Sequence, residues 1–129
     1  MQRTSITKMF TFEAAHRLPN YIGACANLHG HSYKLAVTVT TDRPINKDRN
    51  ATGMIMDFKV LKDIVNKKVV GPLDHSLLND YYHNPTAEIM VEDIAANIQA
   101  GLNDFDEMVY VSNVKLWETE DSYAEWSRD

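Results

Sequence analysis

Two stretches near the start of the chain alternate between apolar and polar residues, and each predicts a half-buried strand. The first covers residues 6–16, and its apolar parity consists of Ile6, Phe10, Phe12, Ala14 and His16. The second covers residues 29–41, and one of its parities consists of His29, His31, Tyr33, Leu35, Val37 and Val39. Because successive side chains of a strand point to opposite faces, each parity faces one side. The pattern therefore places histidines at the end of an apolar face in both strands.

Two later stretches carry apolar residues at helical spacing. The first begins at Asp57, which suits an N-cap, and we expect Gly71-Pro72 to end it. The second begins at Asn84-Pro85, with Asn84 as the cap and Pro85 in the first turn, and we expect Gly101 to mark its end. The apolar lines are Val60, Leu61, Ile64, Val65 and Val69 in the first helix, and Met90, Ile94, Ile98 and Leu102 in the second.

Residues 108–117 and 122–126 again resemble strands, which gives the order β-β-α-α-β-β. Strands before and after a helix pair predict an α+β fold, with an antiparallel sheet and both helices on one of its faces. The other face would carry Tyr, Val and the histidines, or their neighbours. We expect further subunits to cover that face, since oligomerisation also hides the edges of a sheet.

The bulk properties of the chain narrow the function further. Its 129 residues fit a single domain spanning 1–129. A net charge of -5 argues against a nucleic-acid partner, and no apolar run approaches the roughly 20 residues of a membrane span. One cysteine cannot form an internal disulfide, and the first residues lack the apolar region of a signal peptide. We therefore expect a cytoplasmic protein without a membrane partner.

Three histidines form the first candidate site. His29 and His31 project from the same face of one strand, and His16 ends the apolar face of another. Alone, His-Gly-His is a weak signal, and the alternative is a satisfied core histidine beside a strand end. Three nitrogen ligands favour zinc over calcium or magnesium, with iron and nickel left open, and an open fourth position is typical of catalytic zinc.

Cys25 lies four residues before His29 in a predicted loop. A cysteine there could serve as a fourth zinc ligand, as a catalytic thiolate or as an inert small hydrophobe. A loop position next to a cation exposes a thiol and lowers its pKa, so the inert interpretation is the weakest. The spacing alone leaves the other two open.

Two carboxylates give further candidates. Asp74 next to His75 could orient the imidazole as a proton relay, or Asp74 could cap a short turn over residues 75–79. Glu118 shares its parity with Val114 and Leu116. It could accept two parallel N–H groups of a ligand at the end of a buried face, or it could belong to an exposed strand end.

Together the motifs of the chain resemble the 6-pyruvoyl-tetrahydropterin synthase family. The resemblance covers nearly the whole chain in the right order. It rests on Phe12-Glu-Ala-Ala-His-Arg-Leu-Pro19, Cys25-x-x-x-His29-Gly-His31, Leu73-Asp-His75 with Leu78-Asn-Asp80, Asn84-Pro-Thr86 with Glu88, and Glu118-Thr119. The spacing between Cys25 and His29 is similar to that of the bacterial branch that makes 6-carboxy-tetrahydropterin in the queuosine and 7-deazaguanine pathway.

The resemblance implies a tunnelling (T-) fold, in which the sheets of neighbouring subunits close into a barrel. It implies a homo-oligomer, as a trimer or a dimer of trimers. It also implies that His16, His29 and His31 bind Zn²⁺ and that no organic cofactor is needed.

The same resemblance assigns the remaining residues. Cys25 would be the general base, Asp74 with His75 the second acid/base unit, and Glu118 the anchor of the pterin ring. The substrate would be 7,8-dihydroneopterin triphosphate, and the products 6-carboxy-5,6,7,8-tetrahydropterin, acetaldehyde and triphosphate. The alternatives are a relative that forms the pyruvoyl product and a non-catalytic, zinc-containing pterin-binding protein.

Overall fold

One sheet organises the protein, whose computed structural model describes residues 2–129 apart from the side chain of Cys25. Its strands are β1 (Thr4–His16), β2 (His29–Thr41), β3 (Ser76–Leu77), β4 (Val109–Thr119) and β5 (Ser122–Ser127). They lie in the order β3-β1-β2-β4-β5. All neighbours are antiparallel except β1 and the short β3, which run parallel. The four long strands match the predicted ones, whereas β3 has too few residues to give a periodic pattern.

The first helical stretch runs further than expected. Helix α1 (Phe58–Val65) is capped by Asp57, which accepts a hydrogen bond from the Lys59 N–H at 2.8 Å, as predicted. A π-helical turn (Asn66–Val70) then joins α1 to α2 (Gly71–Leu73), so the prediction that Gly71-Pro72 ends the helix is wrong. The Gly71 N–H reaches the carbonyl of Asn66, and a Cβ on Gly71 would lie 2.7 Å from that oxygen. Glycine therefore permits the wide turn instead of stopping the helix.

The second helix is α3 (Ala87–Asn103), and both of its predicted ends are wrong. Its cap is Thr86, whose hydroxyl accepts from the Ile89 N–H at 3.2 Å, and not Asn84. The helix also continues past Gly101, which is buried. A Cβ at this position would lie 2.7 Å from the Cγ2 atom of Ile64. Glycine here lets α1 and α3 approach closely. No helix within residues 2–129 is long and apolar enough to cross a membrane.

Both long helices pack on the same face of the sheet, as the α+β prediction requires. The core between them includes Phe12, Leu35, Val37, Val39, Leu61, Val65, Met90, Ile94, Ile98, Val114 and Leu116. His16 belongs to this face of β1 and has 0% of its surface exposed. Of the two expectations for the other face, the histidines or their neighbours, the first is therefore wrong, because the parity of the histidines continues that of the core residues.

The opposite face of the sheet is polar. Hydroxyl groups link neighbouring strands, with Ser5 2.7 Å from Thr40 and Thr40 2.6 Å from Ser112. The Lys34 ammonium lies 4.5 Å above the centre of the Trp117 ring. Such a face needs no hydrophobic cover, so the helix layer on one side is sufficient for the core.

Candidate active site

The pairing of β1 with β2 brings the three histidines together. His16 lies directly opposite His29, and Ala14 lies opposite His31. Because directly opposed residues share a face of the sheet, the three imidazoles converge at one end of the core. One ring nitrogen from each of the three lies within 4.8 Å of the others.

Backbone carbonyls fix the tautomers of two of these rings. The Nδ1 atom of His16 lies 2.8 Å from the carbonyl oxygen of Pro85, and that of His29 lies 2.7 Å from the carbonyl oxygen of Asn27. A carbonyl only accepts, so each Nδ1 carries the proton and each neutral ring keeps a lone pair on Nε2. The two Nε2 atoms are 3.1 Å apart. Facing lone pairs cannot hydrogen bond, and a cation between them resolves the repulsion.

His31 shows the same need for a partner. Its Nε2 atom is buried and makes no hydrogen bond to any residue that the structure describes. Burial lowers the pKa of His31, as do His16 and His29, while Glu118 opposes the shift. A buried nitrogen without a partner costs about 1–3 kcal/mol. The three nitrogens therefore fit a resident metal ion, and the all-nitrogen set suits zinc.

Glu118 joins this cluster from the end of β4. Its Oε1 atom lies 3.2 Å from Nε2 of His16 and 3.8 Å from Nε2 of His31. The side chain is 30% exposed and also lines a cavity of about 270 Å³ next to β5. Glu118 thus points at the histidines and not into the acidic turn that follows β4.

Asp74 and His75 interact with one another at the edge of the sheet. Asp74 Oδ2 lies 3.1 Å from Nδ1 of His75, and Asp74 Oδ1 accepts from the Glu13 N–H at 2.9 Å. The His75 N–H donates in turn to the carbonyl of Glu13. The alternative role for Asp74, as the cap of a short turn over residues 75–79, is wrong: Ser76–Leu77 form β3, and the 3-10 turn over Leu78–Asp80 has no side-chain cap. The geometry is that of an oriented imidazole with Nε2 left free.

The backbone of His75 supports this assignment. His75 has a φ of 60°, which is rare for a residue with a Cβ. Two hydrogen bonds flank it: the Glu13 N–H donates to Asp74, and the His75 N–H donates to the Glu13 carbonyl. The Glu13 N–H lowers the pKa of Asp74, and His75 adds to the effect. Asp74 is therefore a carboxylate at neutral pH and can hold the imidazole in one orientation.

Sequence patterns miss the groups that hold this segment in place. The side-chain amide of Asn79 accepts from the Arg17 N–H and donates to the Arg17 carbonyl, both at 2.9 Å. The backbone atoms of Glu13, Asn27 and Pro85 cannot be recognised from a sequence pattern. The side chain of Asn79 can be, since Asn79 follows the Asp74-His75 pair within Leu78-Asn79-Asp80.

His75 of the acid/base pair and His31 of the histidine cluster line a common cavity. It measures about 560 Å³, and its lining includes Glu13, His31, Ser32 and His75. A substrate held there could contact a metal on one side and the imidazole of His75 on the other. The backbone of Cys25 lies in a short 3-10 helix (Ala24–Ala26), and its side chain lies outside the described part of the chain.

Comparisons with known proteins agree with this site and fold. A 6-carboxy-5,6,7,8-tetrahydropterin synthase of Haemophilus influenzae is 34% identical over 139 residues, covering 94% of this chain and 96% of that protein. A Synechocystis protein of the same name is 44% identical over 96 residues, covering 73% of this chain and 74% of that protein.

Solved structures and family models extend the comparison. The structure of 6-pyruvoyl tetrahydropterin synthase from Caenorhabditis elegans has a TM-score of 0.79 at 19% identity, and the match covers 100% of this chain and 98% of that one. At that identity the likeness concerns the fold alone. The 6-pyruvoyl tetrahydropterin synthase family model matches residues 5–129. This chain therefore belongs to the 6-pyruvoyl tetrahydropterin synthase family.

Proposed function

We propose that this protein is a lyase that converts 7,8-dihydroneopterin triphosphate and water into 6-carboxy-5,6,7,8-tetrahydropterin, acetaldehyde and triphosphate. The observation that carries the proposal is the cluster of three imidazole nitrogens that fits a metal ion; its member His31 lines a cavity together with His75. The proposal is also supported by relatives named 6-carboxy-5,6,7,8-tetrahydropterin synthase, three of which are 33%, 34% and 44% identical to this chain.

His16, His29 and His31 would hold Zn²⁺ through their Nε2 atoms. When bound, the metal supplies Lewis acidity to hydroxyl groups of the substrate side chain, which makes the neighbouring C–H and O–H bonds more acidic. The carbonyls of Pro85 and Asn27 orient two of the ligands by accepting their Nδ1 protons. Such outer hydrogen bonds fix the ring orientation and raise the basicity of the ligand.

The other residues bind the pterin and move protons. Glu118 would accept the amino and ring N–H groups of the pterin, as a carboxylate with two oxygens can. His75, oriented by Asp74 through Nδ1, would give and take a proton at Nε2. Cys25 would act as the general base on the other side of the substrate, a role that rests on its place in the family motif.

The reaction is balanced without an external reductant. The dihydropterin ring gains two electrons and two protons, while the side-chain carbon next to the ring is oxidised to a carboxylate. The remaining two carbons leave as acetaldehyde, triphosphate leaves from the end of the side chain, and one water supplies the missing oxygen. The residues of the site therefore need to shuttle protons only.

The site would be completed by oligomerisation. The loop between β1 and β2 exposes large apolar side chains, with Ile22 97% and Leu28 65% accessible, and β5 leaves one edge of the sheet unpaired. We propose that the sheets of neighbouring subunits close into a barrel as a trimer or a dimer of trimers. Within one chain His31 and His75 line a common cavity, and in the assembly we propose that Asp74 and His75 of one subunit also approach the metal of another.

Product identification tests the proposal. The zinc-loaded protein is incubated with 7,8-dihydroneopterin triphosphate, and the pterin is analysed by mass spectrometry. The expected product is 6-carboxy-5,6,7,8-tetrahydropterin with an equal amount of acetaldehyde. A pyruvoyl-tetrahydropterin without acetaldehyde would assign the protein to the other branch, and tight pterin binding without turnover would make it a binding protein.

A further inference from the structure

Tyr33 lies beside the histidine cluster and is part of the core. It follows His31 by two residues on β2, so both side chains point to the same face of the sheet. Only 1% of its surface is exposed. Its ring stacks on that of Phe12, with the ring centres 5.0 Å apart and the planes inclined by 10°. The packing of the core therefore fixes the place of the Tyr33 hydroxyl group.

That hydroxyl group contacts the most buried histidine of the cluster. The Tyr33 oxygen lies 3.3 Å from Nδ1 of His16, and the Pro85 carbonyl oxygen lies 2.8 Å from the same nitrogen. Because Nδ1 carries the proton, both oxygens accept from one N–H in a three-centre hydrogen bond, in which the carbonyl is the closer partner. An imidazole with two acceptors around its N–H has fewer orientations than one with a single acceptor.

The ring of Tyr33 borders two of the three candidate ligands. Its centre lies 5.6 Å from that of His31, with the planes inclined by 73°, and 6.2 Å from that of His16, with the planes inclined by 88°. Both are edge-to-face arrangements, which aromatic rings favour. Tyr33 thus limits the movement of imidazoles that come from two different strands, and its hydroxyl group adds a directional contact to one of them.

We propose that Tyr33 is a positioning residue of the metal site, whose hydroxyl group holds the His16 imidazole in the orientation that directs Nε2 at the ion. The inference rests on the proposed function for the presence of the metal. It adds a side chain to the backbone carbonyls of Pro85 and Asn27 that orient the ligands. Tyr33 acts through His16 and not by contact with the ion or the substrate.

Zinc affinity gives the first test, measured by competition with a chelator in the absence of pterin. Tyr33→Phe keeps the stacked ring and removes only the hydroxyl group, and we expect its zinc dissociation constant to rise by about fivefold or more. Tyr110→Phe is the matched control. Its hydroxyl group donates to Asp42 at 2.9 Å, and Tyr110 pairs with Thr40 at the end of β2 away from the histidines. The control should stay within about twofold of wild type, as expected for a residue outside the shell around the ligands. A smaller rise in Tyr33→Phe, or an equal rise in Tyr110→Phe, would overturn the proposal.

Nuclear magnetic resonance of zinc-loaded protein labelled with ¹⁵N-histidine separates positioning from general destabilisation. In Tyr33→Phe the Nδ1 proton of His16 loses one acceptor, and its resonance should move upfield. The Nδ1 proton of His29, which donates to the Asn27 carbonyl, should keep its position. If zinc binds and the His16 resonance does not move, the role of Tyr33 is refuted while the proposed reaction stands. If wild type binds no zinc at all, both fail.

Discussion

Asp74 illustrates at the residue scale how one side chain can serve both the fold and the site. One of its oxygens accepts from the Glu13 N–H, and the other faces Nδ1 of His75. The pKa of Asp74 is lowered from its ordinary value of 3.8, chiefly by the Glu13 hydrogen bond. Its contribution to stability is therefore present above about pH 4 and is lost as the pH falls through the lower pKa of the folded state.

Asp74→Asn tests this double role. We expect kcat to fall about a hundredfold or more, because the amide no longer stabilises a protonated His75, while KM changes little. The variant should also lose less stability than wild type between pH 4 and pH 2. The measurements are steady-state kinetics and the free energy of unfolding as a function of pH.

Asp80→Asn is the matched control for this prediction. Asp80 is exposed in the same segment, and the structure gives it no contact with His75. It should keep the kcat of wild type. Equal kcat in Asp74→Asn and wild type would contradict the assignment of Asp74 and His75 as an acid/base pair.

At the scale of elements, the start of α3 links the helix cap to the metal site. Thr86 caps α3, and the preceding Pro85 carbonyl accepts from His16. Thr86→Ala should lower the free energy of unfolding by about 1 kcal/mol and weaken zinc binding by up to about tenfold, because the carbonyl loses its fixed position. Chemical denaturation and chelator competition measure the two effects.

The cap of α1 supplies the control. Asp57→Ala removes a comparable cap, beside which, within residues 2–129, no backbone carbonyl accepts from a histidine of the cluster, and should cost a similar amount of stability. Its zinc affinity should equal that of wild type. If both variants weakened zinc binding equally, general destabilisation would explain the result for Thr86→Ala and the link between cap and ligand would be wrong.

The crossing of α1 and α3 gives a prediction about packing. A Cβ at Gly101 would meet Ile64 Cγ2 at 2.7 Å. Gly101→Ala should therefore lower the free energy of unfolding by about 1–3 kcal/mol despite the better helix propensity of alanine. In an Ile64→Ala background the same change should stabilise by up to about 1 kcal/mol. Additive effects in this double-mutant cycle would contradict the close approach.

Element types, and which residues share a face, were predictable because they follow from periodicity within one segment, whereas the expected placement of the histidines away from the core was wrong. The four long strands, both helical stretches and the shared parity of His29, His31 and the core residues all appear in the pattern of the chain. Helix ends were not predictable in the same way. Gly71 and Gly101 lie inside helices for steric reasons that involve Asn66 and Ile64, respectively.

The site was predictable only in its side chains. The three histidines, Asp74, His75 and Glu118 carry chemistry that a sequence displays. The Glu13 N–H and the Pro85 carbonyl do not, since every residue has such groups and only the fold selects which ones are used. The approach of Glu118 to the histidines likewise depends on the pairing of β2 with β4 and not on any local motif.

At the scale of the whole molecule, the assembly is the next prediction. The unpaired edge of β5 and the exposed Ile22 lead us to expect a trimer or a dimer of trimers in size-exclusion chromatography with light scattering. A monomer at micromolar concentration would contradict it.

The position of the active sites between subunits is a separate prediction. Mixing inactive Cys25→Ala and His75→Ala proteins should restore activity only after subunit exchange. No recovery would place all catalytic groups in one chain.

The dependence of product formation on bound zinc tests the central claim most directly. Protein stripped by a chelator is reloaded with increasing zinc, and 6-carboxy-5,6,7,8-tetrahydropterin and acetaldehyde are quantified after incubation with 7,8-dihydroneopterin triphosphate. We predict that both products rise together in proportion to bound zinc, up to about one ion per chain as a single three-histidine site requires, and that His29→Ala forms neither. Full activity in the stripped protein, or product formation by His29→Ala without bound metal, would contradict the account.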